Sequence, residues 1–288
     1  MEKKCPVCRV KQARYFRNNK FAYYRCPDCL TTSTYPYPNL KTLIAHYKKR
    51  LDGGNYQLLF SNADEYLKVY NQFLLLLLKS LKKRTLKDMR LLDVGSFTGD
   101  FMVLAKEKGA NVKGLELQKE AVAIANKKMP KSTIQADITG RNVRESNFDI
   151  ITMFGLIEHV TQPMLVIASS AKKLKRNGLL MIQTPNASSL FALVMKRYWP
   201  PFSPVEHIHL FSRKGLRKML LENGFEVIYS GNHIKPLQVQ YVYNNLQNFA
   251  PELYQLISPL RFLFRSPIGK ISLPFYIGEM IIIAKKIK

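Results

Sequence analysis

Apolar and polar positions divide the chain into stretches of different texture. From Met89 onward, short apolar runs alternate with segments whose apolar residues recur every three or four positions. That is the pattern of strands alternating with amphipathic helices. Arg90–Val94, Val112–Leu117, Thr133–Ala136, Phe148–Phe154 and Leu179–Gln183 read as strands, with Phe225–Tyr229 and Met280–Ala284 as the last two. Asp100–Lys108, Lys119–Lys128 and Pro163–Leu174 read as helices, the third with proline in its first turn. Ser212 is placed to cap a helix that stops at Gly224. Such alternation predicts a mostly parallel sheet covered on both faces.

Upstream the texture changes. Tyr35-Pro36-Tyr37-Pro38 breaks any regular element, so a boundary is expected near residue 38. Residues 39–88 read as a helical linker. Ser61 or Asn62 could cap its helix, Tyr66, Val69, Phe73, Leu76 and Leu77 keep helical spacing, and the basic run Lys79 to Arg84 suits a C-terminus. Tyr56 could close over a bound ligand or serve only as a packing aromatic. Residues 89–288 form the main domain, with an insert at about 232–278 rich in Tyr, Phe, Leu and Pro.

Composition adds a charge question. Across 288 residues, 45 Lys and Arg stand against 20 Asp and Glu, a net charge of +25. Such an excess attracts RNA, anionic lipid or phosphorylated substrates, but it says nothing about fold, and solvated lysine-rich faces explain it equally well. The insert sets apolar beside basic residues, as in Pro259-Leu260-Arg261-Phe262-Leu263-Phe264-Arg265, which suits a membrane surface or a lipid-linked substrate as well as a substrate lid or dimer contact. The N-terminal MEKKCPVC lacks the apolar core of a signal peptide, and the run Phe73–Leu78 is too short to span a bilayer. A cytoplasmic protein without a transmembrane segment is expected.

All four cysteines fall within the first 29 residues. Cys5-Pro6-Val7-Cys8 and Cys26-Pro27-Asp28-Cys29 make C-x2-C-x17-C-x2-C, inside the spacing range of zinc sites. Two such knuckles give a closed tetrahedral thiolate cage, hence structural zinc in a ribbon over residues 1–38. The hairpin between them, with Arg14, Tyr15, Phe16, Arg17, Phe21, Tyr23, Tyr24 and Arg25, could stack on bases or only cover a thin core.

The chemical signal is the segment Leu91-Leu92-Asp93-Val94-Gly95-Ser96-Phe97-Thr98-Gly99-Asp100, where a strand turns into a helix. Glycines there let backbone approach a ligand, and the helix start offers free N–H groups. Glu116 follows Gly95 by 21 positions, the spacing of an acidic residue that holds ribose hydroxyls. The segment resembles motif I of class I S-adenosylmethionine methyltransferases, D-x-G-x-G-x-G. Three further segments resemble that family in order: Gln135-Ala136-Asp137-Ile138 beside the adenine, Phe148-Asp149-Ile150 through Leu156-Ile157-Glu158-His159-Val160, and Leu174-Lys175-Arg176-Asn177-Gly178 before the fifth strand. The likeness is closest to the branch of quinone-biosynthesis and glycan-modifying methyltransferases, and Leu273-Pro274-Phe275-Tyr276-Ile277-Gly278-Glu279-Met280 is similar to a segment of the latter.

The resemblance implies an α/β, Rossmann-like, doubly wound sheet of seven mostly parallel strands with a small N-terminal zinc ribbon. It implies S-adenosyl-L-methionine as cofactor, held by Asp93, Gly95, Phe97, Gly99, Glu116, Leu117, Asp137, Ile138 and Phe154. Phe97 departs from the middle glycine of the motif and narrows the turn. Gly155 replaces an acidic residue that, in metal-assisted relatives, joins the following Glu and His around a divalent ion, so no active-site metal is expected.

Methyl transfer needs alignment and exclusion of water, with a base only if the acceptor must lose a proton. Glu158, His159, His207 and His209 are the catalytic candidates. The last two lie in Glu206-His207-Ile208-His209-Leu210-Phe211-Ser212, which resembles the family's H-x-H-x-F-S border of the substrate pocket, and an extended His-x-His points both rings the same way. Each histidine could equally hold loop backbone. The expected activity is methylation of a small or lipid-linked O, N or C acceptor. The alternatives are an RNA methyltransferase, since a basic chain suits phosphate contacts, and a non-catalytic zinc-ribbon RNA-binding protein.

Overall fold

The computed structural model describes residues 2–288 apart from 19, 40–41, 44, 46–62, 141–142, 204 and 250. Tyr56 and the caps expected at Ser61 or Asn62 lie outside the described residues. Three N-terminal strands come first: β1 (Ala13–Asn18), β2 (Phe21–Arg25) and β3 (Thr32–Tyr35). Helix α1 (Ala63–Leu81) follows. The αβ alternation then runs β4 (Arg90–Val94), α2 (Asp100–Glu107), β5 (Asn111–Glu116), α3 (Lys119–Lys128), β6 (Thr133–Gln135), β7 (Phe148–Phe154), α4 (Pro163–Lys173) and β8 (Leu174–Pro185). Beyond lie α5 (Leu190–Met195), the short β9 (His209–Leu210), α6 (Arg213–Glu222) and β10 (Phe225–Gln238). Helices α7 (Val239–Phe249), α8 (Pro251–Ile257) and α9 (Arg261–Arg265) precede β11 (Ser272–Lys286).

The large sheet has seven strands in the order β10-β11-β8-β7-β4-β5-β6. From β8 to β6 every neighbouring pair is parallel, while β11 runs antiparallel to both β8 and β10. This is the mostly parallel sheet that the alternation predicts, and the doubly wound, Rossmann-like one that the resemblance implies. The two last strands extend far beyond their apolar runs: β10 continues to Gln238 and β11 begins at Ser272, so they form a long ribbon through much of the insert and leave its helices between them.

Each sheet face buries its own core. On one face Phe73, Leu74, Leu77 and Leu78 of α1 form a stripe one helical turn wide, packed on Leu91, Ile150, Met181, Ile281 and Ile283. On the other face Val166 and Ile167 of α4 and Leu216, Met219 and Leu220 of α6 pack on Leu92, Ile151, Leu180 and Ile282. Ser212 caps α6 by accepting from Gly215 N–H, as its sequence position predicts.

The second sheet joins the N-terminal module to the main domain. Its order is β1-β2-β3-β9, so a strand from the methyltransferase-like region completes the hairpin sheet, Ser33 pairing with His209 and Thr32 with Leu210. Cys5, Val7, Cys26 and Cys29 belong to the same apolar cluster as Phe211, Leu216 and Met219. The Arg25 guanidinium donates to the Ala187 carbonyl at 3.0 Å, and the Ser212 hydroxyl donates to the Cys29 carbonyl. The module shares a core with the domain it precedes.

Candidate functional site

The turn after β4 is built from left-handed backbone. Gly95 and Gly99 have φ of 73° and 77°, which glycine adopts without steric cost. A Cβ on Gly95 would lie 3.0 Å from the Leu156 side chain, so the turn and the loop after β7 sit against one another. Phe97, in place of the middle glycine, also has positive φ, 50°. An L-residue there pays roughly 1–2 kcal/mol of strain. The turn therefore keeps the shape that glycine would allow despite the bulky side chain.

Glu116 closes this turn from the end of β5. Its Oε2 accepts from Phe97 N–H at 3.0 Å, and its Oε1 accepts from Leu117 and Gln118 N–H at 2.7 and 2.9 Å. The two oxygens of a carboxylate offer about four lone-pair sites, so three backbone bonds leave room for a further hydroxyl. The buried Ser96 Oγ and Gln118 Oε1 have no hydrogen-bond partner among the described residues, two unmet polar atoms flanking the same turn. Leu117 is exposed beside Glu116, an apolar side chain at a surface where a flat base could rest. These features fit an adenosyl group.

The remaining predicted cofactor residues distribute differently. Asp93 is buried, accepts from the Thr152 hydroxyl at 2.6 Å, and its carboxyl is raised to about 7 by burial, against the lowering effect of that bond. Asp137 is exposed and accepts from the Thr139 N–H and hydroxyl, both at 2.6 Å, so it shapes its own turn. The Ile138 side chain is in the core. The Phe154 ring packs 4.6 Å from Phe73 and 4.8 Å from Phe101, under α1 and α2.

Beyond the end of β7, a 3-10 turn over Ile157–His159 gathers the acidic and imidazole groups. Glu158 is buried, its Oε2 accepts from Thr184 Oγ1 at 2.9 Å, and burial raises its carboxyl above the usual range. The His159 and His207 rings lie 4.8 Å apart, each with Nδ1 on a backbone carbonyl, Glu206 at 2.8 Å and Pro201 at 2.6 Å. Burial, then the neighbouring His159, lowers the proton affinity of His207. One ligand atom from each of Glu158, His159 and His207 lies within 4.8 Å of the others. The expectation of no active-site ion rested on Gly155 alone, whereas His207 brings a third donor that sequence distance hides. Such a group can share a proton or hold a cation.

His209 is placed otherwise than its motif suggests. Its ring is fully buried, with Nδ1 3.0 Å from Ser33 Oγ and Nε2 3.5 Å from the Thr161 carbonyl, and Tyr37 packs edge-on at 5.3 Å. Both nitrogens face partners within the protein, and no face is open to an acceptor. The His-x-His spacing is legible, but β9 pairing with β3 turns the second histidine into the module's sheet.

At the N-terminus one ligand atom from each of Cys5, Cys8, Cys26 and Cys29 lies within 4.8 Å of the others, and Cys5 and Cys29 Sγ are 3.6 Å apart. Zinc–sulfur bonds of about 2.3 Å in a tetrahedron set the sulfurs a little under 4 Å apart, so the cluster fits a zinc ribbon. The Cys5 and Cys29 thiols share a hydrogen bond, and burial works against ionising either of them.

The chain is similar to known methyltransferases in sequence and in fold. A ubiquinone biosynthesis O-methyltransferase from Photobacterium profundum is 32% identical over 114 residues, covering 36% of this chain and 48% of the relative. One from Rhizobium etli is 26% identical over 170 residues, covering 55% and 68%. The chain thus spans about half the length of the first of these curated relatives. Among solved structures, magnesium protoporphyrin IX methyltransferase from Synechocystis PCC 6803, with bound SAH, superposes with a TM-score of 0.56 at 15% identity, over 85% of this chain and 99% of that one. This last likeness shows the fold. A family model described as a methyltransferase domain matches residues 64–230, more than half of the chain and the span that holds the glycine turn, Glu116 and the β7 loop. The chain belongs to this methyltransferase domain family.

Proposed function

We propose that the chain transfers a methyl group from S-adenosylmethionine to a small acceptor. The observation that carries this reading is the left-handed turn at Gly95, Phe97 and Gly99, closed by the Glu116 carboxylate at the end of the next strand. S-Adenosylmethionine supplies an electrophilic methyl on a sulfonium sulfur. Gly95 and Gly99 would let backbone approach the cofactor, Glu116 would accept from the ribose hydroxyls, and Leu117, Asp137 and Ile138 would border the adenine. Asp93, Phe97 and Phe154 would border the methionyl end. Glu158, His159 and His207 would orient the acceptor on the far side of Gly155. Cys5, Cys8, Cys26 and Cys29 would hold one structural zinc ion.

Titration calorimetry tests the cofactor assignment. Glu116→Ala is expected to weaken S-adenosylmethionine binding by about 1.5–3 kcal/mol, the scale of hydrogen bonds to a charged group. An unchanged affinity would remove Glu116 from the site.

The acceptor is best read as lipid-linked. The insert exposes Leu256 and Phe262 by 76% and 64%, with Leu253 and Leu260 also exposed and Arg261 and Arg265 among them. Apolar side chains ringed by cations suit the surface of an anionic bilayer. No helix among the described residues is long and apolar enough to cross one. The chain should therefore sediment with phosphatidylglycerol vesicles and stay free of phosphatidylcholine vesicles. Retention by RNA and not by either vesicle would move the acceptor to the RNA alternative.

A further inference from the structure

The N-terminal hairpin and α5 form a surface that neither the cysteines nor the cofactor turn uses. Phe16 of β1 stacks on Tyr23 of β2 at 4.5 Å, and both rings pack edge-on against Phe202, at 4.8 and 5.0 Å. Tyr23, Ala192, Trp199 and Phe202 are buried together in one small core. Ser189 caps α5 by accepting from Ala192 N–H, and the Trp199 indole donates to the Ile277 carbonyl of β11 at 3.0 Å. The segment from α5 to Phe202 is therefore held from two sides, by the hairpin and by β11.

What α5 turns outward is aliphatic. Leu190 and Val194 are 74% and 69% exposed, and Leu193 is exposed beside them. Positions i, i+3 and i+4 share one helix face, so the three side chains make a single patch. The patch continues into a cavity of about 460 Å³, with Tyr15 and Phe16 on one wall and Val194 to Tyr198 on the other. After α5 the chain turns through Lys196, at a left-handed φ of 48°, and exposes Lys196, Arg197 and Tyr198. The Arg197 guanidinium lies 4.9 Å from the Tyr198 ring centre and donates to its hydroxyl at 2.7 Å.

The charge on this surface has one sign. Residues 9–25 include Arg9, Lys11, Arg14, Arg17, Lys20 and Arg25, and residues 187–205 include Lys196 and Arg197, with no Asp or Glu in either stretch. A contiguous exposed apolar patch marks an interaction site. Aliphatic chains bordered by cations and a tyrosine match the boundary of an anionic bilayer, where acyl chains, phosphates and interface lie in that order. A nucleic acid fits the surface less well. Bases stack on free aromatic faces, whereas Tyr23 covers Phe16 and the Arg25 guanidinium sits 5.1 Å from the Tyr15 ring centre. Leu190, Leu193 and Val194 offer nothing to a phosphate backbone.

We propose that α5 and the turn after it, buttressed by the N-terminal hairpin, dock on anionic lipid. Leu190, Leu193 and Val194 enter the acyl boundary while Lys196 and Arg197 meet the phosphates. The inference rests on the lipid-linked reading of the acceptor and adds a contact separate from the insert. It also gives the N-terminal module a task beyond its metal, because the hairpin fixes the docking helix. The same segment runs on to Pro201, whose carbonyl holds His207 Nδ1 at 2.6 Å, so the docking face leads directly to residues proposed to orient the acceptor.

The test uses the full-length protein and phosphatidylglycerol vesicles carrying a nitroxide on part of their head groups. Trp199 is the single tryptophan of the chain and follows Tyr198 directly, so its emission reports contact at this face. Wild-type emission should be quenched, and phosphatidylcholine vesicles with the same label should leave it unchanged. Lys196→Gln with Arg197→Gln should weaken sedimentation with phosphatidylglycerol vesicles about 30-fold, each cation at an anionic surface contributing roughly fivefold. Leu190→Gln with Val194→Gln should weaken it on the order of tenfold or more, since two aliphatic side chains lose their burial. All four side chains are exposed, so S-adenosylhomocysteine affinity within twofold of wild type shows that the variants fold. Leu256→Gln with Phe262→Gln reads the insert separately. If the protein sediments with Trp199 unquenched, or if the α5 variants sediment like wild type while the insert variant does not, the docking face is overturned and the lipid-linked reading stands on the insert alone. If wild type sediments with neither vesicle, the lipid-linked reading itself falls and takes this one with it. A polyuridine oligonucleotide that binds wild type but not the Lys196→Gln, Arg197→Gln variant, with vesicle binding unmoved, would assign the face to RNA instead.

Discussion

Serine in place of Cys26 is expected to unfold the N-terminal module and loosen the acceptor side of the main domain while sparing cofactor affinity. Structural zinc contributes on the order of 10–16 kcal/mol to the folding of small thiolate modules, far more than this thin hairpin core supplies by itself. The loss should travel along one route. Cys26 and Cys29 are packed with Phe211 and Leu216, β3 pairs with β9, and Thr34 N–H donates to the Ile208 carbonyl at 3.0 Å. Ile208 N–H donates in turn to the Glu158 carbonyl at 2.8 Å. Glu116 and the glycine turn lie at the ends of β5 and β4, and none of these bonds runs to them. Elemental analysis should find about one zinc per chain, as a single four-thiolate cage requires. Amide exchange should show protection lost at residues 32–34 and 208–210 in Cys26→Ser, with S-adenosylmethionine affinity within twofold of wild type. Metal-free protein with full protection in both strands would refute the zinc assignment.

The second large effect is acid sensitivity from His209. Burial lowers its pKa from 6.5 to about 4, with the Thr161 carbonyl opposing weakly. In the unfolded chain the ring takes a proton near 6.5, whereas in the fold it resists until about 4. The unfolded state therefore binds more protons in that window, and stability falls as pH falls through it. The contribution is complete above about pH 6.5 and lost by about pH 4, roughly 3 kcal/mol in all. Asp93 acts oppositely, because its raised carboxyl binds a proton in the fold first. The comparison must therefore be between wild type and His209→Asn, in which other groups cancel. Denaturant midpoints taken from pH 7.5 to 4 should converge as pH falls, with the variant weaker at the top of the range. Parallel curves would mean that His209 titrates as freely folded as unfolded.

The sheet was legible in the sequence because its buried strands are continuous apolar runs. β4 and β7 match their predicted bounds, and α3 runs from Lys119 to Lys128 as expected. β10 and β11 outran theirs, since residues such as Ser230 to Asn232 and Lys235 to Pro236 carry no apolar period, and their pairing rests on backbone bonds between two strands. The four cysteines and the glycine turn were legible because each depends on spacing within a short stretch. The meeting of His207 with Glu158 was not, being set by a loop returning over the sheet. His209 misled because its partner strand lies in another module. The buried Glu279 on β11, which holds His233 and Lys235 of β10, left one trace, a carboxylate inside the apolar run Gly278-Glu279-Met280-Ile281-Ile282-Ile283, which only a buried counter-charge can accommodate.

The strand order has a consequence for how the chain acquires its shape. β11 sits between β8 and β10, yet it follows both in sequence. While the protein is being synthesised, β8 therefore waits as an open edge and β10 has no neighbour in the sheet. Exposed edges invite pairing with other chains, and the apolar residues Ile281 to Ile283 that will fill the gap emerge after both. The helices between β10 and β11 lengthen this interval, so the nascent chain passes through a stage with a finished glycine turn and an unfinished sheet. Ligand-binding competence can precede structural closure, and the cofactor is then available to steady the half-built domain until β11 arrives.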